Sequence, residues 1–214
     1  MRLEDVNQLL EPGYLPFETG YKRLSNGQMY IAVLTRMPRC AGKMVGWWFG
    51  YAGDTKKYKL WHPKDHIIGD WDEHWRPGHY IGASHLVHEY IGQELCKLKI
   101  TFCEPSEFFD TSRFKEAKVG AAVCGRVGML EEEKQLGYLI HFVRNTKYGC
   151  EMRSRFWLFD ASEDFVRSLM IHNIEEMGNL ADLLPDLYAK ETARKKSPHS
   201  KMKMAKKVKV IKRK

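Results

Sequence analysis

The sequence has no CxxC pair and only five cysteines, Cys40, Cys96, Cys103, Cys124 and Cys150, an odd and widely spaced set. That pattern supports neither a disulfide framework nor a thiolate zinc knuckle, and buried reduced thiols are expected instead. Also missing is any run approaching the roughly 20 apolar residues that span a bilayer. The opening Met1-Arg2-Leu3-Glu4-Asp5 lacks the apolar stretch of a secretory leader, so a cytoplasmic protein without membrane partners is expected. No internal repeat is visible. A chain of 214 residues has room for one ordinary domain enclosing a ligand cavity, but not for two large ones.

Acidic residues are absent from 194–214, which hold 11 of the 35 Lys and Arg. The remaining 193 residues therefore carry 24 basic against 27 acidic side chains, a net of −3 within a chain of net +8. The basic excess belongs to a tail and not to a face of the folded part. Such a segment buries too little apolar surface to offset its ordering entropy, and disorder is expected for 194–214, with residues 1–193 forming a single domain. Weak contact with polyanions through the tail is the most that charge supports, and a nucleic-acid-binding role is disfavoured because the rest offers no basic excess.

Short runs bounded by Gly, Pro, Asn and Asp dominate the middle of the chain and read as strands at Met29–Thr35, Met44–Tyr51, Cys96–Cys103, Val119–Val127, Leu136–Arg144 and Cys150–Phe159. Leu98, Ile100 and Phe102 alternate with Lys97, Lys99 and Thr101, so one face of the sheet is expected to be wet. Asn145-Thr146-Lys147-Tyr148-Gly149 has hairpin length, which makes the last two strands antiparallel neighbours. Beyond Asp160, a candidate N-cap with Glu163 three residues on, Phe165–Leu184 has helical periodicity that Pro185 should end or kink before Leu187 and Tyr188 resume it. An α+β architecture follows, a curved antiparallel sheet wrapped around one long C-terminal helix.

Six of the nine histidines, His62, His66, His74, His79, His85 and His88, crowd into 27 residues. Density alone does not make a site, since exposed histidines are common. The sharper pattern is His172-Asn173-Ile174-Glu175-Glu176, in which His172 and Glu176 stand four apart and share a helix face. Leu169, His172, Glu176, Leu180, Leu183 and Leu187 form an inward stripe, while Glu163, Arg167, Asn173, Glu175 and Asn179 supply the polar face. A carboxylate within an apolar stripe needs a cation, a metal or a strong donor. An acid four residues after a histidine also occurs at His66/Asp70 and His85/Glu89, so spacing by itself leaves metal binding and a plain His–Glu pair both open.

Trp47-Trp48-Phe49, Tyr58-Lys59-Leu60-Trp61-His62-Pro63-Lys64-Asp65-His66, His88-Glu89-Tyr90-Ile91-Gly92, Glu151-Met152-Arg153-Ser154-Arg155-Phe156-Trp157 and His172-Asn173-Ile174-Glu175-Glu176-Met177-Gly178-Asn179-Leu180 together resemble the phloretin hydrolase and diacetylphloroglucinol hydrolase family, from about Tyr30 to Tyr188. The resemblance implies a Bet v1-like, or START-like, helix-grip fold enclosing a cavity. It implies a zinc ion held by His66, Glu89, His172 and Glu176, with His85 or His88 as alternatives to Glu89; His and carboxylate donors also suit manganese or iron. It further implies hydrolysis of the carbon–carbon bond between an acyl group and a polyhydroxylated ring, giving a phenol and a carboxylic acid. His141 is then the proton-transfer partner and Tyr58 the orienting donor, both contacting a small aromatic ketone substrate. Phe156 stands where some members have a substrate-binding Tyr, and Gly69 occupies another position that is polar elsewhere. The chain is shorter at its N-terminus than characterised members, so an oligomer contact made there does not carry over, and a homo-oligomer stays open.

A rival reading from another class is a helix-grip protein that carries hydrophobic small molecules without chemistry, its cavity lined from the aromatic segment Trp47–Tyr58. Stoichiometric bound metal discriminates the two.

Overall fold

Residues 1–196 are described in the computed structural model. Eight strands form a single antiparallel sheet: β1 Gly20–Arg23, β2 Met29–Pro38, β3 His66–Trp71, β4 Ser84–Ile91, β5 Glu94–Cys103, β6 Val119–Met129, β7 Gln135–Asn145 and β8 Gly149–Leu158. They are ordered β1-β2-β8-β7-β6-β5-β4-β3. Two short helices, α1 (Gly42–Tyr51) and α2 (Thr55–Trp61), and the long α3 (Glu163–Lys196) complete the regular structure. The helices pack on one face of the curved sheet and bury Met29, Ile31 and Val33 of β2, Trp48 and Phe49 of α1, and Met177 and Leu180 of α3 in one continuous core. This is a Bet v1-like, helix-grip arrangement.

Five expected strands are present with ends shifted by no more than three residues. The turn between β7 and β8 closes with the Thr146 N–H donating to the Gly149 carbonyl at 2.9 Å. Met44–Tyr51 is not a strand but lies in helix α1. Its short apolar run is buried on several sides, at Val45, Trp48 and Phe49, and such a run carries no period that separates strand from helix. At Gly42, the first residue of the helix, a Cβ would meet Gly120 Cα of β6 at 2.6 Å. Only glycine allows α1 to come this close to the sheet.

The long helix departs from expectation at its two ends. Its first turn is capped by Ser162, whose Oγ accepts the Phe165 N–H at 3.2 Å, whereas Asp160 sits outside the helix at φ +48°. Pro185 lies inside the helix, which continues through Leu187 and Tyr188 as expected. The helix also runs past residue 193 to Lys196, while the rest of the expected disordered tail lies outside the described residues.

The expectation of a wet sheet face holds at β5, where Lys99 is exposed, but fails at β8, where Cys150–Leu158 are all buried. Residues Leu3–Leu10 form a 3-10 segment that covers the far side of the central strands, burying Val6, Leu9 and Leu10 with Tyr30, Phe142 and Trp157. Arg153 and Arg155 are 1% and 0% exposed. Both guanidiniums donate to the Glu18 carboxylate, and Arg153 Nη1 donates also to the Leu9 carbonyl at 3.2 Å. All five cysteines are buried free thiols. No helix among the described residues is long and apolar enough to cross a membrane.

Candidate metal centre

Helix α2, held by its Asp54 N-cap accepting the Lys57 N–H at 2.9 Å, delivers Tyr58 and Trp61 to the space between sheet and α3. Trp61 Nε1 donates to the Glu176 carbonyl at 3.0 Å, which pins α2 to α3. His66 begins β3 and pairs with Glu89 across the β3–β4 ladder. On β4 the inward positions are His85, Val87, Glu89 and Ile91, so Glu89 faces the helix and the half-buried His88 lies on the other side of the strand.

His66, Glu89 and His172 each place one ligand atom within 4.8 Å of the others. His66 Nε2 lies 3.5 Å from Glu89 Oε2 and 3.3 Å from Glu176 Oε1, and His172 Nε2 lies 3.8 Å from Glu89 Oε2. All four side chains are buried. His66 Nδ1 faces the Tyr58 carbonyl at 3.0 Å; a carbonyl only accepts, so Nδ1 carries the proton and Nε2 presents its lone pair to the cluster. Nε2 of both histidines is buried without a hydrogen-bond partner among the described residues. Such orphaned nitrogens, opposed to two carboxylates, are a donor set that fits a divalent cation.

A second grouping, His62, Asp65 and His172, shares the same imidazole. Asp65 Oδ2 lies 3.4 Å from His172 Nδ1, and His62 stacks on the His172 ring at 4.8 Å. A neutral imidazole has one lone pair and serves one site at a time. A proton on His172 Nδ1, toward Asp65, would leave the Nε2 lone pair toward Glu89, an arrangement compatible with a carboxylate supporting an imidazole that holds a metal.

Burial opposes charge on His66, yet Glu176 and Glu89 outweigh it and hold His66 above the ordinary histidine range. Burial likewise opposes ionisation of Glu176, but the adjacent His66 and the neighbouring imidazoles His172 and His141 bring it below the usual carboxylate range. Tyr58 is pushed well above its ordinary value by burial and by Glu89 and Glu176; it stays protonated and donates to Glu89 Oε2 at 2.5 Å. Its ring stacks on His66 at 3.7 Å and 4°. Gly69 makes this possible, since a Cβ there would fall 2.5 Å from Tyr58 Cγ.

A cavity of about 60 Å³ adjoins the cluster, lined among others by Tyr58, Glu89, His141, Phe156, His172 and Glu176. Ordinary ligand pockets are several-fold larger, roughly 300–1,000 Å³, so an aryl ketone enters only if wall side chains move. On β7, His141 is paired with Ser154 of β8, its Nδ1 2.8 Å from Ser154 Oγ, and burial pulls it down to about 4. It is a neutral imidazole at physiological pH. Of the six crowded histidines, His62, His66 and His85 are buried, while His74 and His79 are exposed and His88 is half-buried. Asn173, assigned to the polar face of α3, is instead 1% exposed and lines the cavity. It neighbours the inward His172, and helical spacing alone placed it outside.

The sequence profile of the family described as DAPG hydrolase PhiG domain matches residues 1–165. The chain belongs to this family. Family relatives include a 2,4-diacetylphloroglucinol hydrolase of a Pseudomonas species, 26% identical over 87% of this chain and 76% of the relative. The phloretin hydrolase of Eubacterium ramulus is 28% identical over 80% of this chain and 72% of its own. Among solved structures, ginseng major latex-like protein 151 from Panax ginseng superposes with a TM-score of 0.51 at 12% identity, covering 72% of this chain and 96% of that one. That likeness speaks to the fold alone. Membership of the family rests on the profile, and His172 and Glu176 lie beyond the matched residues.

Proposed function

We propose that this protein is a metal-dependent hydrolase that splits the bond between an acyl carbon and a polyhydroxylated aromatic ring, releasing a phenol and a carboxylic acid. The observation that supports this reading best is the convergence of His66, Glu89, His172 and Glu176 beside a cavity that also holds His141. Family membership and relatives named for 2,4-diacetylphloroglucinol and phloretin agree with it. In this reading the four side chains hold the ion, with zinc, manganese and iron all compatible with the donors. When bound, such an ion supplies Lewis acidity that polarises an acyl carbonyl and makes water a better nucleophile near neutral pH.

The chain's own residues do the rest. Tyr58 holds Glu89 in one orientation, and its hydroxyl is near enough to the cavity to be shared with a substrate hydroxyl. His141, neutral and fixed by Ser154, takes a proton from attacking water and returns it to the ring carbon as the carbon–carbon bond breaks. Phe156 and Trp61 enclose the ring and exclude bulk water. The direct test is incubation of the metal-loaded protein with 2,4-diacetylphloroglucinol and with phloretin, following carboxylic acid release. One acid per bond cleaved is expected, and a metal-loaded protein inert on every acylated polyphenol would refute the reading.

Gly69→Ala is expected to displace Tyr58 and lower turnover by roughly 100-fold, the scale of an ångström-level misplacement at a reacting site. A crystal structure of the variant with Tyr58 unmoved, or unchanged kcat/KM, would contradict this. Metal affinity should rise as pH increases through the raised His66 range, because the ion competes with the proton for Nε2. Chelator competition at several pH values checks the sign.

A further inference from the structure

The cavity has two polar wall groups that neither the ion cluster nor proton transfer uses. His85, on an inward position of β4, is 4% exposed, stacked on Trp71 at 4.4 Å and set edge-on to Tyr58 at 5.0 Å. Asn173, on α3, is 1% exposed. His85 Nε2 and Asn173 Oδ1 are both buried without a hydrogen-bond partner among the described residues, and both residues line the cavity. Tyr58, Trp61, Glu89, His141, His172 and Glu176 are the other polar liners, and each already faces a partner in the cluster or, for Trp61, the Glu176 carbonyl and, for His141, Ser154.

An orphaned buried polar atom destabilises the resting protein, and two of them on separate elements facing one cavity are accounted for if a ligand satisfies both. Phe49, Phe102, Leu139 and Phe156 complete the wall with apolar surface suited to an aromatic ring. Phe156 offers no polar side-chain group, so ring hydroxyls find partners among the polar wall residues. Resting on the hydrolase reading above, we propose that His85 and Asn173 are substrate-binding residues that receive the hydroxyl groups of a polyhydroxylated aryl ketone, one from the sheet side and one from the helix side. A neutral imidazole nitrogen and a carboxamide oxygen both suit phenolic O–H. Burial lowers His85 to about 3, so the imidazole stays uncharged and does not repel the ion.

The test is steady-state hydrolysis by metal-loaded wild type, His85→Phe, Asn173→Leu and the polar replacement His85→Gln. Substrates are 2,4,6-trihydroxyacetophenone and analogues with one ring hydroxyl removed or methylated. On the trihydroxy ketone, kcat/KM of the apolar variants should fall about tenfold to hundredfold, the scale of one unpaired buried hydrogen-bonding group. The loss should shrink to less than about threefold on the analogue lacking the contacted hydroxyl, since the two deletions share one interaction. His85→Gln should recover part of the activity, and the melting temperature of the apolar variants should hold or rise. Equal losses on all substrates, or no loss, would overturn the assignment while leaving the hydrolase reading intact. A wild type inert on every analogue would remove the hydrolase reading and the assignment with it.

Discussion

His172→Ala is expected to lose both bound metal and turnover, the latter by on the order of 1,000-fold or more, because an ion contributes several kcal/mol of transition-state stabilisation. The fold should survive, since Val166, Met177, Leu180 and Leu184 keep α3 anchored in the core. Removing the imidazole also relieves the crowding of His62, Asp65 and Glu89 around it, so the melting temperature of the metal-free protein should change little. Glu176→Gln should lose metal affinity as well, because the amide cannot supply the negative charge that opposes His66 at 3.3 Å. Elemental analysis of the variants, paired with kcat/KM, distinguishes loss of the ion from loss of chemistry. Full activity in His172→Ala would remove it from the site.

Glu18→Ala should destabilise the protein by about 3–5 kcal/mol, the cost of leaving buried charge without its partner. Arg153 and Arg155 both donate to this one carboxylate and both are excluded from water. That is a large part of the roughly 5–15 kcal/mol that stabilises a typical domain. Urea denaturation measures it, with Glu18→Gln expected to lose less because its amide oxygen still accepts. Burial alone would raise the Glu18 carboxyl, but the bond from Arg153, the Leu15 N–H and the charge of Arg155 bring it below the usual range. A folded value below the unfolded one means the stabilisation is present above the ordinary carboxylate range and fades as pH falls through the depressed value. Wild type should therefore lose stability in acid more steeply than Glu18→Gln, and parallel pH curves would contradict this.

The parts of the fold legible from the residues were those with an uninterrupted period. β5 alternates cleanly, β7 and β8 flank a hairpin-length turn, and α3 carries a stripe from Leu169 to Leu187. Strands β3 and β4 escaped because polar side chains occupy inward positions: His85 and Glu89 break the apolar alternation of β4, and Gly69 stands in β3 against Tyr58. Sequence patterns fail where a site replaces core residues, and that is what happens here. The helical state of Met44–Tyr51 escaped for the opposite reason, an apolar run with no polar side to set a period.

The site divides in the same way. His172 and Glu176 stood out as an imidazole and a carboxylate in an apolar stripe. His66, Glu89 and His141 lie on three separate strands, so no local spacing joins them, and only the family resemblance suggested them. Asn173 was misplaced because one residue beyond an inward histidine looks outward on a helical wheel, whereas α3 is covered by α2 and β4 across a wider arc. The burial of Arg153 and Arg155 was hidden by their partner Glu18, more than a hundred residues away.

Elemental mass spectrometry of the purified protein beside His172→Ala, after incubation with zinc, manganese or iron and removal of free ion, tests the metal centre most directly. About one equivalent of a divalent metal per wild-type chain, absent from the variant, is the predicted result. A wild-type chain that retains no metal under any of these conditions, or a variant that retains as much, would contradict it.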